Sequence, residues 1–94
     1  MPRKVNAAHI LVKTEEQIKD IQKLLEDGKS FETLAKEKSN CPSSKSGGKL
    51  GWFGHGQMVR EFEKVAFKTK KGEISEPVKT QFGWHLIKVI DTQS

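Results

Sequence analysis

The sequence is poor in cysteine, arginine and long apolar runs, and it contains no tyrosine. A single cysteine, Cys41, cannot form an internal disulfide, and no paired cysteines or histidines have the spacing of a metal site. We therefore expect no metal ion and no organic cofactor, and a reducing, cytoplasmic environment. The apolar run at residues 10–12 is too short for a signal-peptide core or a bilayer span, so the sequence predicts a soluble protein without a targeting segment.

Arginine is scarce, because only two of the 17 basic residues are arginines although the formal net charge is +5. Arginine provides the planar fork that reads bases and grips phosphates, so a specific nucleic-acid partner is not expected. A solvated lysine-rich surface is the ordinary interpretation of the charge. A weak contact with an anionic membrane or nucleic acid stays open as an alternative. The lysines that could make this contact are Lys64, Lys68, Lys70 and Lys71.

The length of the chain limits its organisation. Its 94 residues are enough for one hydrophobic core and too few for two domains. No internal repeat or low-complexity tract divides the sequence. We therefore expect one domain, residues 1–94, that acts as a monomer.

Two segments at opposite ends of the chain predict the central strands of a sheet. Residues 5–12 are apolar on both faces, and residues 84–90 alternate between two apolar faces. If these two segments pair, His9 and His85 become neighbours although they are far apart in the sequence. Two shorter strands are predicted at residues 50–53 and 74–78, and Pro77 argues that the latter is an edge strand or a turn.

Helix signals fill the region between the central strands. Thr14 opens a capping box ahead of an apolar stripe that ends at Gly28. Ser30 can cap a second short helix, and Pro42 can open a single helical turn. A third helix is predicted to run from about Met58 to residue 67. This order of strands and helices predicts an α+β domain with a small sheet.

One glycine-rich stretch, residues 47–67, combines five glycines with large apolar side chains. This combination indicates a backbone that turns tightly around a shallow apolar pocket. The glycine spacing matches neither the dinucleotide-binding nor the Walker phosphate loop, so nucleotide binding is not expected. The apolar side chains of the stretch include Leu50, Trp52, Phe53, Met58 and Phe62.

Cys41, His9 and His85 are the obvious set of nucleophile and bases. A cysteine hydrolase would also need an oxyanion hole and usually a larger scaffold. The plainer interpretation is a small buried thiol beside two hydrogen-bonded core histidines. The residues alone leave both interpretations open. His55, between two glycines, is expected to be a surface turn residue.

Four motifs occur in order along nearly the whole chain. They are HILV at residues 9–12, SNCP at 39–42 ahead of GGKLG, GQM at 56–58 leading to Phe62, and FGWHLI at 82–87. Together they resemble a parvulin-type peptidyl-prolyl cis/trans isomerase of the single-domain type. The resemblance implies a four-stranded antiparallel sheet surrounded by about four helices, in an FKBP-like superfold.

The resemblance also implies a site. His9, Cys41 and His85 would be its catalytic residues, with the two histidines hydrogen-bonded to each other and the cysteine beside them. By the same match Trp52 and Phe53 belong to the core. The substrate-binding residues would be Leu50, Met58, Phe62 and Phe82 around the proline ring, with Gln57 and Thr80 at its polar edge.

The implied activity is acceleration of rotation about X-Pro bonds in peptides and in unfolded or flexible segments, by non-covalent stabilisation of the twisted amide. The alternative is a parvulin-fold chaperone or binding module for proline-containing segments. Phosphate-selective parvulins carry a long arginine and lysine loop after the first strand, whereas residues 12–17 here form a tight connection with two glutamates. We therefore expect no preference for phosphoserine before proline.

Overall fold

The computed structural model describes residues 2–94, which form one sheet with helices on both of its faces. Three α-helices and one 3-10 helix accompany four strands. In chain order the elements are β1 (Lys4–Val12), α1 (Glu15–Glu26), α2 (Phe31–Lys38), the 3-10 helix (Pro42–Ser46), β2 (Lys49–Gly54), α3 (Arg60–Lys68), β3 (Val78–Thr80) and β4 (Gly83–Gln93). The predicted α+β class and the four-stranded antiparallel sheet are confirmed.

The sheet is antiparallel with strand order β2-β1-β4-β3, so its centre pairs the first strand with the last, as predicted. In this pairing His9 lies opposite Ile87, and Leu11 lies opposite His85. His9 and His85 are therefore diagonal neighbours on one face, where side chains of aromatic size can meet.

The two faces of the sheet carry two separate apolar clusters, because side chains alternate along each strand. On one face α1 and α2 cover Ala8, Ile10 and Leu86. On the other face α3 covers a cluster that includes Ala7 and Ile87. His9 and His85 belong to the α3 face, so a site that uses both histidines must form on that side.

The first helix begins at its predicted cap, whereas the third helix begins later than predicted. Thr14 forms the predicted capping box, because its hydroxyl accepts the Gln17 N–H while the Gln17 side chain accepts the Thr14 N–H. The predicted start of the third helix is about two residues early. Residues 58 and 59 lie outside the helix, and its N-cap, Val59, is extended and has no side-chain cap.

Two further expectations about the strands need correction. The third strand is Val78–Thr80, and Ile74 makes only an isolated bridge to Lys88, so most of the predicted strand at 74–78 is irregular. Trp52 is 46% exposed, whereas Phe53 is buried. Alternation puts Trp52 on the opposite face from Phe53, where it lies beside Lys4 at the end of the sheet. Its predicted place in the core is wrong.

Two glycines allow neighbouring segments to approach β1 closely. A Cβ atom on Gly48 would collide with the carbonyl oxygen of His9, and one on Gly83 would collide with that of Val12. Both residues have positive φ angles, 84° and 136°, which side chains disfavour. These glycines bring the start of β2 and the start of β4 against the strand that carries His9.

Candidate active site

A cavity of about 360 Å³ opens on the α3 face of the sheet, and we call it the site cavity. Its walls are almost entirely apolar. Phe62 of α3 is buried at its base, whereas Phe82 in the β3–β4 turn is 60% exposed at its rim. The lining residues are His9, Leu11, Asn40, Cys41, Pro42, Leu50, Met58, Val59, Phe62, Phe82 and His85.

Each wall of the site cavity comes from a different element, because the sequence turns at its glycines. Leu50 stands on β2, and Met58 precedes α3, where it packs against the same apolar cluster as Phe62. Cys41 immediately precedes the 3-10 helix that Pro42 opens. The structure therefore assembles five separate segments of the sequence into one apolar hollow.

The floor of the site cavity is a pair of buried imidazoles. His9 Nδ1 and His85 Nδ1 are 3.0 Å apart, and the two rings are nearly parallel, with an interplanar angle of 19°. The Phe62 ring meets both imidazoles edge-on, at centroid distances of 5.5 and 5.3 Å. This arrangement locks the two rings against the helix that forms the opposite wall.

The histidine pair is uncharged at neutral pH. Burial, and to a smaller extent the neighbouring His85, lowers the pKa of His9 from 6.5 to about 4. Burial likewise lowers the pKa of His85 from 6.5 to about 4. The floor of the site cavity therefore presents neutral rings and no cation.

Hydrogen-bond satisfaction selects the tautomers of the pair. Two neutral rings that share an Nδ1···Nδ1 bond must be opposite tautomers. Thr80 Oγ1 accepts the Phe82 N–H at 3.1 Å and lies 2.8 Å from His85 Nε2. If the Thr80 hydroxyl donates to His85 Nε2, both its proton and its oxygen have partners. His85 then carries its proton on Nδ1 and donates it to His9 Nδ1. His9 must therefore carry its own proton on Nε2. If His85 instead carried its proton on Nε2 and donated it to Thr80, the Thr80 hydroxyl proton would be buried without an acceptor.

His9 Nε2 is consequently a buried N–H group without a hydrogen-bond partner among the described residues. An unpaired buried donor costs free energy and is rare. His9 is one of the residues that line the site cavity, although its Nε2 atom is itself buried. The pair therefore offers one spare proton donor beside the apolar walls.

Cys41 is half-buried in the wall of the site cavity, and no thiol–imidazole pair forms within residues 2–94. The Nδ1 atoms bond each other, His85 Nε2 bonds Thr80, and His9 Nε2 bonds nothing. Nucleophilic catalysis by cysteine requires an adjacent base. The geometry thus favours a contact role for Cys41 over a thiolate nucleophile.

Thr80 and Gln57 do not occupy the polar edge at which we expected them. Thr80 is buried beneath the histidine pair and does not line the site cavity. Gln57 Oε1 accepts the Gly54 N–H at 2.6 Å, so its side chain closes the turn after β2. Both residues support the walls, and neither lines the space where a ligand would sit.

The remaining predicted site residues are brought together, and four lining residues were missed. Leu50, Met58, Phe62 and Phe82 all line the site cavity with the three predicted catalytic residues. The missed residues are Leu11, Asn40, Pro42 and Val59. Leu11 shares a strand face with His9, and the other three adjoin predicted residues, so strand alternation and sequence neighbourhood were the signals that could have found them.

No metal cluster or membrane-spanning helix is found in the part of the chain that the structure describes. Within residues 2–94 no three histidine, cysteine, aspartate or glutamate side chains gather in a way that could hold a metal ion. None of the described helices is long and apolar enough to cross a bilayer.

In the predicted lysine cluster, Lys71 Nζ pairs with Asp91 Oδ1 at 3.3 Å, which offsets part of the positive charge of Lys71.

Comparison with known proteins decides the family. The model of the rotamase family, the PPIC-type PPIase domain, matches residues 6–91. The chain belongs to the PPIC-type peptidyl-prolyl isomerase family. The predicted parvulin-type resemblance and the predicted enzyme class are thereby confirmed.

Three relatives illustrate the range of this isomerase family. The foldase protein PrsA of Geobacillus kaustophilus is 54% identical over 91 residues, which are 96% of this chain and 32% of that protein. The structure of Pin from the archaeon Cenarcheaum symbiosum is 46% identical with a TM-score of 0.83, and the match covers 97% of this chain and 95% of that one. A structure from work on two SurA-like chaperones of Campylobacter jejuni is 45% identical with a TM-score of 0.93, over 100% and 40% of the chains.

These matches differ in extent. The isomerase domain spans nearly all of the archaeal Pin chain. It spans only about a third of the curated foldases that it matches. What the larger proteins do as a whole therefore goes beyond the similarity of this domain.

Proposed function

We propose that the chain accelerates rotation about X-Pro bonds in peptides and unfolded protein segments without forming a covalent intermediate. The observation that carries this proposal is the site cavity itself, an apolar hollow whose histidine floor is neutral and whose cysteine has no base. A proline ring fits such a hollow because it is apolar and has no N–H to satisfy. Catalysis by this site needs no leaving group and no activated nucleophile.

The reaction is a rotation, so its barrier is the loss of amide resonance. That barrier is about 18–20 kcal/mol, and the uncatalysed rotation takes on the order of tens to hundreds of seconds. The planar amide is more polarised than the twisted one, so a neutral apolar site stabilises the planar ground state less than water does. Leu50, Met58 and Phe62 can hold the ring while the preceding carbonyl turns. Only the peptide on one side of the bond then has to move.

The histidine pair and Cys41 supply the polarity of this site in our proposal. His9, which carries the unpaired buried N–H, and Cys41 are both residues that line the site cavity. As the amide twists, its nitrogen regains a localised lone pair. A neutral donor can stabilise this lone pair without introducing a full charge. We assign His9, Cys41 and His85 to this polar environment, with His85 and Thr80 fixing the tautomer of His9.

We propose that substrates need no phosphate. Neither lysine nor arginine lines the site cavity, and only Lys13 and Thr14 lie between β1 and α1. Recognition of a phosphate group requires positioned arginine or lysine side chains. Peptides with glutamate, leucine or phenylalanine before proline should therefore turn over at similar rates, with no gain from phosphoserine.

NMR exchange measurements test this function. Catalytic amounts of the protein should broaden the cis and trans resonances of an Xaa-Pro peptide, and the Met58→Ala variant should broaden them less. Four peptides carry glutamate, leucine, phenylalanine or phosphoserine before proline. No broadening by the folded wild-type protein would refute isomerase activity. A strong preference for the phosphoserine peptide would refute only the substrate assignment.

A holding function is the second candidate. Similar proteins carry the names foldase and SurA-like chaperone, and the exposed Phe82 ring beside the site cavity offers apolar surface to an unfolded chain. We propose that holding uses the same cavity. Suppression of aggregation of a proline-free unfolded protein, lost in Phe82→Ala while peptide turnover persists, would favour holding as a separate activity. Equal loss of both would favour one shared site.

The oligomeric state and the cellular location of the chain are further proposals. We propose that residues 1–94 work as one monomeric domain, and sedimentation of the purified chain tests this. A cytoplasmic location is proposed from the single unpaired thiol. Because one of the similar Campylobacter proteins is named as periplasmic, fractionation of the native host is the deciding measurement.

We also propose that four lysine side chains make a weak contact with an anionic surface. The four residues are Lys64, Lys68, Lys70 and Lys71, which lie on α3 or shortly after it. Binding to anionic vesicles should then weaken as salt is added. Binding that does not respond to salt would remove this proposal.

A further inference from the structure

The loop between β2 and α3, residues 55–59, supplies part of the site cavity, and its Gln57 side chain accepts the Gly54 N–H at the end of β2. Met58 and Val59 in this loop line the site cavity. Val59 is also the N-cap of α3, and it has no side chain able to accept the free N–H groups of the first helical turn. Something other than a helix cap must set the position of this loop.

Glu63 of α3 reaches back across this loop and uses both of its carboxylate oxygens. Its Oε1 accepts the Gly56 N–H at 2.5 Å, and its Oε2 lies 3.3 Å from His55 Nδ1. The His55 ring in turn lies on Phe67 of the same helix, with centroids 4.0 Å apart. The carboxylate therefore ties the start of the loop to α3, whose Phe62 forms the base of the cavity.

We propose that Glu63 is a positioning residue that holds the β2–α3 loop so that Met58 and Val59 complete the cavity wall. This inference rests on the proposed function, because the wall matters only if the cavity binds proline. Glu63 does not line the cavity and touches no reacting atom. It acts through the Gly56 amide, two residues before Met58.

The backbone contact, and not the ion pair, carries this role. A solvent-exposed pair such as His55 and Glu63 contributes little on its own. A carboxylate that accepts a backbone N–H forms a charge-assisted hydrogen bond, which is stronger than a neutral one. Consistent with this order, the pKa of the Glu63 carboxyl is lowered chiefly by the Gly56 N–H and secondarily by His55.

A loosened wall has a distinct kinetic signature. If Met58 and Val59 occupy their places only part of the time, the apparent affinity falls by that fraction. The bound state still has a complete wall, so turnover at saturation changes little. Loss of the Glu63 contact should therefore raise KM and leave kcat nearly unchanged, whereas a group acting on the rotation itself would lower kcat.

The experiment compares Glu63→Ala, Glu63→Gln and Glu61→Ala in the full chain. Glutamine keeps an oxygen for the Gly56 N–H, and Glu61 is an exposed acidic residue in the same first turn, so its removal controls for charge at the helix start. We expect Glu63→Ala to raise KM about fivefold with kcat within about twofold, as for a wall that is in place about a fifth of the time. The other two variants should stay within about twofold of wild type in KM.

Two results would overturn the role of Glu63. One is a wild-type KM in a folded Glu63→Ala variant. The other is an equal rise of KM in Glu61→Ala, which would make the effect one of general charge. The first result leaves isomerase activity intact, so failure of this inference is distinguishable from failure of the proposed function.

An NMR titration keeps the test open if Glu63→Ala does not fold or if the wild type is inactive. The Gly56 amide proton of the wild-type chain should resonate downfield and move upfield as Glu63 is protonated in acid. The same resonance should be insensitive to this titration in Glu63→Gln. A Gly56 resonance that ignores protonation of Glu63 in the wild type contradicts the contact on which the inference depends.

Discussion

The Nδ1 atoms of His9 and His85 lie 3.0 Å apart, although 76 positions separate the two residues in the sequence. One histidine comes from the first strand and the other from the last, and their contact exists only because these strands pair at the centre of the sheet. The Thr80 hydroxyl extends the chain of hydrogen bonds to the turn that carries Phe82. The polar floor and the rim of the cavity are thus one connected unit.

The cavity wall should matter more to activity than the thiol. Replacing Met58 by alanine removes apolar contact with the proline ring worth about 1–2 kcal/mol, which predicts about a tenfold loss in kcat/KM. Cys41→Ala or Cys41→Ser should retain activity within about threefold, since no base activates the sulfur. A protease-coupled peptide assay measures both. Trp52→Ala, a half-exposed aromatic outside the cavity, is the control, and complete loss in Cys41→Ser alone would contradict the non-covalent mechanism.

Thr80 should stabilise the histidine pair through its hydroxyl. Thr80→Val keeps the shape but leaves His85 Nε2 and the Phe82 N–H without their partner, so we expect unfolding to become easier by about 1–3 kcal/mol. Thr80→Ser restores a hydroxyl and should stay close to wild type. Urea unfolding at pH 7 measures the difference. A Thr80→Val variant as stable as the wild type, or one more stable than Thr80→Ser, would show that the hydroxyl does not carry the effect.

Stability should fall as the pH is lowered from 6.5 towards 4. In this window the unfolded chain protonates histidines whose pKa values folding has lowered to about 4, so acid favours the unfolded state. From pH 7 to 5 the loss is about 2 kcal/mol for each ring, since one pH unit corresponds to about 1.4 kcal/mol once the ring in the unfolded chain is protonated. About one pH unit above 6.5 both rings are neutral in either state, and their contribution no longer changes with pH.

Urea unfolding at several values between pH 7 and 5 measures this dependence. That range lies above the titration of the exposed carboxylates Glu32, Glu63 and Asp91, whose pKa values are lowered further by their hydrogen bonds. His85→Gln should flatten the dependence, because it removes one of the two rings whose pKa values folding lowers. An unchanged slope in His85→Gln would mean that another group is responsible.

Gly83 should tolerate alanine poorly because a Cβ atom there meets the Val12 carbonyl oxygen. Gly72 provides the matched control, since its φ is also positive but nothing lies near its missing Cβ. Gly72→Ala should cost about 1–2 kcal/mol from backbone strain alone. Gly83→Ala should cost about 1–3 kcal/mol more, because the crowded strand must shift. Thermal or urea unfolding of the two variants compares them directly, and equal costs would show that β4 can move aside.

Strand alternation was sufficient to predict the centre of the fold and the floor of the site. The two central strands and the contact of His9 with His85 follow from apolar patterning at the two ends of the chain. The capping box at Thr14 was equally readable, because its signal is local. The pocket residues came from the family resemblance, which also identified the residues that approach one another from distant segments.

The remaining features depend on tertiary contacts that no local pattern encodes. The exposure of Trp52 follows from its place at the uncovered end of one sheet face. The late start of α3 depends on how the β2–α3 loop is held, and the depth of Thr80 depends on where β3 packs against the histidines. Each of these positions is set by a neighbour many residues away, and sequence spacing alone does not identify that neighbour.

The pairing of β1 with β4 also has a consequence for how this domain reaches its native state. The middle of the sheet cannot form until residues 4–12 meet residues 83–93, so nearly the whole chain must be closed into a loop before its central hydrogen bonds exist. Loop closure costs entropy before the contacts repay it, and folds dominated by such pairings fold more slowly than helical bundles of similar length. During synthesis the edge of β1 that pairs with β4 must therefore stay unpaired until the last strand has been made.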